Sequence, residues 1–188
     1  MRSRMRRRSF LKVSLFSAAS LTAVGVAGLV GTAVFPGLGA DGVGAGGRPL
    51  PPQLTRRLRC LSVPEVAILQ AAMLRILDGA EPAPALDGAV QQCLFADAYL
   101  AGLDRPLRSD FQSLLTLLQI WPLAAGHGSR FVRLAPAEQD AVLWSWQRSR
   151  WELLRQGLQG LKALCTLAHY QDERSFKAIG YSGPLVGT

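Results

Sequence analysis

Apolar side chains recur every three to four residues along much of this 188-residue chain, and this spacing constrains its fold more than any other feature. The clearest series has the members Trp151, Leu154, Leu158, Leu161, Cys165 and Ala168. Such spacing places the side chains on one face of an α-helix. A second apolar series beside it contains Gly157 and Gly160. We therefore expect this helix to be central, with another backbone or a bulky ring packed against the two glycines.

The same spacing, together with capping signals, predicts four further helices earlier in the chain. The expected starts of the five helices are Ser62, about Ala89, Asp104 or Ser109, Pro136 and Trp151. The first start is a capping box, Ser62-Val63-Pro64-Glu65, and Gly79 should stop that helix. Pro122 should kink or end the third helix. No segment shows the period-two alternation of a hairpin, so the predicted fold is a single all-α bundle of about five helices.

The N-terminal segment has the organisation of an export signal. Residues 1–12 contain six Arg or Lys and no acid, residues 13–34 are uncharged, and a glycine-rich run follows. The uncharged stretch is long enough to span a bilayer, but its many small residues give it a weak insertion energy. Cleavage after Ala45, or less favourably after Ala40, and retention as an anchor are both open. We divide the chain into a signal and linker, 1–45, and a helical domain, 46–188.

Within this signal, the run Arg7-Arg8-Ser9-Phe10-Leu11-Lys12 resembles the twin-arginine (Tat) motif, Ser/Thr-Arg-Arg-x-Phe-Leu-Lys. Only the first position departs, because Arg6 stands there. Twin-arginine signals are receptor-read addresses for proteins that are exported already folded. The residues expected to be read by the Tat translocase are Arg7, Arg8, Phe10, Leu11 and Lys12. The expected location is the periplasm, with attachment to the membrane if the signal is not cleaved.

The net charge of +8 first suggests a nucleic-acid partner, since basic residues neutralise phosphates. Without residues 1–45 the chain has 15 basic and 12 acidic residues, a net charge of +3. That is an ordinary protein surface, so no nucleic-acid partner is expected.

The helical domain lacks the residue patterns of common catalytic and cofactor sites. It has no CxxC, CxxCH, HxxxH or ExxH spacing, no GxSxG elbow and no glycine-rich loop after a strand. Its histidines are His127, in a loop, and His169, near the end of the fifth helix. Asp97, Asp104 and Asp110 are separate acids that we expect to be caps or solvated residues. The domain is therefore expected to be an accessory protein rather than an enzyme.

The three cysteines leave one alternative open. Cys93 and Cys165 occupy apolar helix positions and are expected in the core. Three of the four residues before Cys60 are arginines, which should lower the pKa of its thiol. An odd count permits one disulfide and one free thiol, and the pair is undetermined. The alternative function is a periplasmic electron-transfer or metal-binding helical protein that uses His127, His169 and these cysteines.

Several short motifs in a fixed order carry a family resemblance. They are Leu61-Ser62-Val63-Pro64-Glu65, residues 130–139, Trp146-Gln147-Arg148-Ser149, Ala168-His169-Tyr170, Phe176-Lys177-Ala178-Ile179-Gly180 and Tyr181-Ser182-Gly183-Pro184. With the twin-arginine leader, this order resembles the gluconate 2-dehydrogenase subunit 3 family. Its members are small subunits of bacterial membrane-associated flavin dehydrogenases that act on sugars and alcohols. The resemblance covers most of residues 55–186 and is strongest after residue 130. The usual aromatic pair is His169-Tyr170 here.

The resemblance implies a partner protein that has no cofactor of its own. In this family the large subunit, a GMC-type flavoprotein, carries FAD and performs the oxidation, and a cytochrome c subunit often takes the electrons onward. The large subunit often lacks a signal, so the small subunit carries the Tat address for both. The implied function is to assist the maturation and co-export of the flavoprotein.

Aromatic and arginine side chains are typical anchors of protein interfaces. Trp144 and Trp151 are candidates that fit a core equally well, whereas the C-terminal tail is favoured because Gly180 and Gly183 with Pro184 cannot continue a helix. The predicted interface residues are Tyr170, Phe176, Gly180, Tyr181, Gly183 and Pro184.

Overall fold

The computed structural model of the chain describes residues 56–78, 86–171, Ser175 and Gly180. The helices in this part of the chain are α1 (Val63–Ile76), α2 (Leu86–Ala101), α3 (Arg105–Ala124), a 3-10 turn (Phe131–Arg133), α4 (Pro136–Gln147) and α5 (Glu152–His169). The described residues contain no strand, and the predicted all-α bundle of five helices is confirmed. The twin-arginine motif and the proposed division at residue 45 lie outside the described residues.

The predicted capping box starts α1. The Ser62 N–H donates to Glu65 Oε2 at 2.7 Å, and the Glu65 N–H donates to Ser62 Oγ at 3.4 Å. Two of the backbone donors at the helix start are thereby satisfied by side chains. The helix ends at Ile76, three residues before Gly79.

The centre of the bundle is α1, although we expected α5 there. Every residue from Val66 to Met73 is buried, and α1 contacts each of the other four helices and the 3-10 turn. Gln70 is the one polar residue in that run, and a helix that is apolar on all sides is buried on all sides. The helix α5 is buried on more than one side, as predicted, because it packs against α1, α2 and α4.

The prediction that a backbone or a ring packs against both glycines of α5 is wrong, although one of the two glycines is closely packed. A Cβ atom on Gly157 would overlap the Cδ1 atom of Leu114, so the end of this α3 side chain packs directly onto the glycine. The neighbour is an aliphatic side chain rather than a backbone or a ring. At Gly160 a Cβ atom would have no neighbour within 4 Å. Trp151 also departs from the predicted buried series, since it is the N-cap of α5 and is 57% exposed.

The remaining helices follow the sequence signals with small shifts. The start of α2 is three residues earlier than expected, and α3 starts directly after Asp104. Pro122 lies in the last turn of α3, which ends two residues later, so the missing N–H removes a hydrogen bond only near the helix end. Val142 and Trp146 of α4 are buried.

Two buried glutamines hold the 3-10 turn against the bundle. The Val132 N–H donates to Gln119 Oε1 at 3.2 Å, and Gln139 Nε2 donates to the carbonyl of Phe131 at 2.9 Å. Both glutamines are at most 5% exposed. The loop between α3 and α4 is therefore fixed to both of the helices that it joins.

None of the helices in the described part of the chain combines the length and the apolar character that a membrane crossing requires.

Candidate functional site

The exposed large apolar side chains are the features of this bundle that its own packing does not explain. They are Leu123, Trp144, Trp151 and Tyr170, with exposed fractions of 45, 54, 57 and 40%. Tryptophan and tyrosine are frequent anchors of protein interfaces. Three of the four are residues that the sequence marked as interface candidates, and their exposure agrees with that interpretation.

The two exposed tryptophans, Trp144 and Trp151, lie close together in the chain, at the turn from α4 to α5. We call residues Trp144–Trp151 the α4–α5 corner. The guanidinium of Arg148 lies over the ring of Trp144, 5.3 Å from its centroid, in a cation–π contact. Trp146, between the two exposed tryptophans, is completely buried and packs edge-on against Trp121 with ring centroids 6.1 Å apart. The corner is thus anchored in the core while its outer side chains face solvent.

The backbone of the corner is held by hydrogen bonds from both sides. Arg155 donates to the carbonyl of Ser149 and is paired with Glu152. The Trp151 N–H donates to Ser149 Oγ at 3.1 Å. About two helical turns further along α5, the Lys162 side chain joins the two helices, since its Nζ donates to Oε1 of Gln147, the last residue of α4, at 2.8 Å. The turn between the two helices is consequently ordered before any partner binds.

The opposite end of α5 carries Tyr170, the first of the predicted interface residues. Its ring packs edge-on against His169, with centroids 5.2 Å apart. His169 itself is 2% exposed, and its Nδ1 lies 3.3 Å from Gln92 Nε2 on α2. His169 is therefore a buried helix-end residue that joins α5 to α2.

Only part of the predicted C-terminal interface falls within the described residues. Gly180 is exposed and has a φ of 70°, a left-handed conformation that glycine adopts without strain. This conformation agrees with the predicted break of the helix. The other predicted tail residues, Phe176, Tyr181, Gly183 and Pro184, lie outside the described residues.

The exposed aromatic residues do not form one surface. Trp151 and Tyr170 cap opposite ends of α5, and a helix rises 1.5 Å per residue, so they are about 28 Å apart. The structure therefore presents two separate candidate faces, the α4–α5 corner and the Tyr170 end.

Cys60 lies in a different environment from the one that its neighbouring arginines suggested. Its thiol lies 3.3 Å from Oδ1 of Asp97 on α2. Burial raises the pKa of the Cys60 thiol to about 12, and the hydrogen bond and the charge of Asp97 act in the same direction. Arg108 lowers the pKa by a smaller amount. The prediction of a lowered pKa is wrong, because a carboxylate and burial outweigh the nearby cations.

The prediction that Asp97 is a helix cap or a solvated residue is wrong, because it lies within α2 and is buried. It is 1% exposed and accepts hydrogen bonds from the backbone N–H groups of Arg59, Cys60 and Leu61 at 2.6, 3.0 and 2.7 Å. The carboxylate on α2 thereby holds the chain segment that leads into α1. Nothing local marks Asp97, since its three donors lie 36 to 38 residues earlier in the chain.

The other candidates for redox or metal chemistry are Cys93, Cys165 and His127. All three cysteines are free thiols, and Cys93 and Cys165 are fully buried, as predicted. Burial raises the pKa of both thiols, and the charge of nearby Cys165 raises that of Cys93 further. His127 lies half-buried in the loop after α3. No group of three or more His, Cys, Asp or Glu side chains suited to a metal ion occurs in the part of the chain that the structure describes.

Comparisons of the chain with protein-family models, with curated proteins and with solved structures find no match.

Proposed function

We propose that this chain is the non-catalytic small subunit of a periplasmic FAD-dependent dehydrogenase of the GMC type. In this proposal it assists the maturation of the catalytic flavoprotein and carries the Tat address for both subunits. The observation that carries the proposal is the motif Arg7-Arg8-Ser9-Phe10-Leu11-Lys12, which stands ahead of a helical domain. The family resemblance and the exposed tryptophans support the same function.

The order of events follows from the chemistry of export. FAD must be bound before the flavoprotein leaves the cytoplasm, and the Tat route accepts proteins that are already folded. A flavoprotein without its own signal then needs a bound partner that has one. The small subunit supplies the signal and a binding surface, while FAD is held by the partner and the electrons pass from it to a cytochrome c. No residue of this chain is assigned to the cofactor.

Export of the co-expressed flavoprotein tests the proposal. The partner to use is a large subunit encoded beside this chain, which we expect to bear a Gly-x-Gly-x-x-Gly motif near its start and no signal of its own. Replacement of Arg7 and Arg8 by Lys should leave the FAD-loaded complex in the cytoplasm, because the receptor reads the arginine pair. The measurement is dehydrogenase activity and FAD content in the periplasmic fraction.

The matched control replaces Arg2 and Arg4 by Lys, which alters two arginines outside the motif and should preserve export. If the flavoprotein matures and reaches the periplasm equally well without this chain, the proposed function is wrong.

The competing hypothesis is an electron-transfer or metal-binding protein that uses His127, His169 and the cysteines. The feature in its favour is the closeness of Cys93 and Cys165 in the interface of α2 and α5, where His169 also lies. Absorbance spectroscopy and metal analysis of the purified chain distinguish the two functions. A colourless, metal-free protein would rule the competing hypothesis out.

A further inference from the structure

The α4–α5 corner combines exposed aromatic rings with two exposed arginines, Arg148 and Arg150. Residues 141–151 contain no Asp or Glu. Within the described residues, no carboxylate is paired with Arg148 or Arg150, and both side chains are exposed. The first acid after the corner, Glu152, is already engaged by Arg155 and Gln156. As far as the structure describes the chain, the corner therefore presents two indole rings and two positive charges without a paired carboxylate.

The order of the corner favours a binding role over a merely solvated turn. Arg155 and Ser149 fix its backbone, and Arg148 is held over the ring of Trp144. Groups that are ordered before association lose less conformational entropy when a partner binds. Tryptophan and arginine are also the residues most enriched among binding hot spots.

The charge of the corner limits what can occupy it. The N-terminal segment of this chain has six basic residues and no acid in its first twelve positions, so it would be repelled. A second copy of the chain in a two-fold contact would bring Arg148 and Arg150 close to their own equivalents, which like-charge repulsion disfavours. Both intramolecular docking of residues 1–12 and self-association are consequently poor matches.

A membrane surface matches the corner less well than a protein does. Electrostatic recognition of anionic lipids uses clusters of about four to eight basic residues, whereas the corner offers two unpaired arginines. A guanidinium instead suits a carboxylate, to which it donates two parallel hydrogen bonds. The rings of Trp144 and Trp151 are exposed to water, and a partner buries them only if its surface offers an apolar recess.

We propose that the α4–α5 corner docks an acidic protein surface, on which carboxylates meet Arg148 and Arg150 and an apolar recess receives the tryptophans. The assignment of this surface to the catalytic flavoprotein rests on the proposed function. The corner is then a second contact face, distinct from the Tyr170 end of α5.

The test measures binding of the full chain to the co-expressed flavoprotein for two double variants. One is Arg148→Glu with Arg150→Glu, and the other is Trp144→Ala with Trp151→Ala. Each should weaken the complex at least about tenfold, and binding of the unaltered chain should weaken as salt screens the charges. All four side chains are exposed, so helix content and Tm should stay close to those of the unaltered chain. If the glutamate variant does not fold, Arg148→Gln with Arg150→Gln replaces it.

The matched control is Arg56→Glu with Arg57→Glu, two exposed arginines ahead of α1 that should leave binding unchanged. If the corner variants bind the flavoprotein as well as the unaltered chain does, the docking proposal is wrong and the proposed function stands. If the unaltered chain does not bind the flavoprotein, both are wrong. If the corner variants lose binding only to phosphatidylglycerol vesicles, the corner is a lipid-binding face and the docking proposal is overturned.

Discussion

Burial keeps the Cys60 thiol neutral, and the side chain of Asp97, distant in the sequence, adds to this effect. The carboxylate accepts from the Cys60 N–H at 3.0 Å and also lies within hydrogen-bond distance of its thiol. Gln112 Nε2 donates to the Cys60 carbonyl at 3.1 Å, so the residue is held by α2 and α3 together. A cysteine next to arginines in the sequence is consequently kept as a neutral thiol in the folded protein.

We predict that native Cys60 reacts slowly with iodoacetamide at pH 8 to 10, because its pKa is raised from 9.0 to about 12. The raised pKa means that the folded state retains the proton longer than the unfolded state. The stabilising contribution of the thiol is complete below pH 9 and is lost as the pH rises towards about 12.

Asp97→Asn should increase the rate of this reaction, since it removes the charge and weakens the hydrogen bond that raise the pKa. Asp104→Asn is the control, because Asp104 is exposed and makes no capping hydrogen bond with its side chain. The buried Cys93 and Cys165 do not compete for reagent in the native state. A half-maximal rate near pH 9 in the unaltered protein would contradict the prediction.

The two glycines of α5 differ in the space that each leaves for a side chain. Gly157 faces Leu114 of α3 at a distance that leaves no room for a Cβ atom, whereas Gly160 faces open space. Glycine destabilises a helix interior relative to alanine by about 0.8–1 kcal/mol wherever the added methyl group fits. Alanine should therefore stabilise α5 more at position 160 than at position 157, where Leu114 packs against the glycine.

We predict that Gly160→Ala raises the free energy of unfolding by about 1 kcal/mol, since it adds helix propensity without a clash. Gly157→Ala should gain clearly less, because Leu114 must rotate away from the new methyl group. Urea denaturation of the two variants, compared at equal m-value, checks the difference. Equal stabilisation by both substitutions would show that the Leu114 side chain does not restrict position 157.

On the scale of the whole molecule, the bundle is organised around α1. A bidentate salt bridge joins α1 to α4. Nε and Nη2 of Arg75 donate to the two carboxylate oxygens of Asp140 at 2.8 and 2.9 Å. Arg75 also pairs with Asp78 at 2.9 Å. The hydrogen bond with Asp140 raises the pKa of the Arg75 guanidinium, which stays charged throughout the working range of pH.

We predict a coupling free energy of about 1 kcal/mol between Arg75 and Asp140 at low salt, the upper end for a partly exposed pair. The measurement is a double-mutant cycle with Arg75→Met and Asp140→Asn, followed by urea denaturation. The coupling should shrink at high ionic strength, because salt screens partly exposed charges. A coupling that is zero, or one that salt leaves unchanged, would contradict the prediction.

Local interactions explain which parts of the fold the sequence could predict. Helix periodicity and the capping box of Ser62 and Glu65 act within a few residues, so five helices and most of their bounds follow from the sequence. The sequence also contains the signal for the central position of α1. Residues 66–73 are all apolar except Gln70, and such a helix is expected to be buried on every side. The two parallel apolar series of α5 are more conspicuous in the sequence, and for that reason they favour α5 as the central helix.

The candidate site also has features that local sequence predicts and features that depend on contacts between distant residues. By itself the sequence determined the helical class, and it supplied the arginine pair Arg7-Arg8 and the aromatic residues that could serve as anchors. Only the tertiary structure decided that Trp144 and Trp151 face solvent while Trp146 is buried, and that Cys60 meets Asp97. The physical reason is that exposure and pKa depend on which residues distant in the chain become neighbours, and periodicity along one helix does not specify those neighbours.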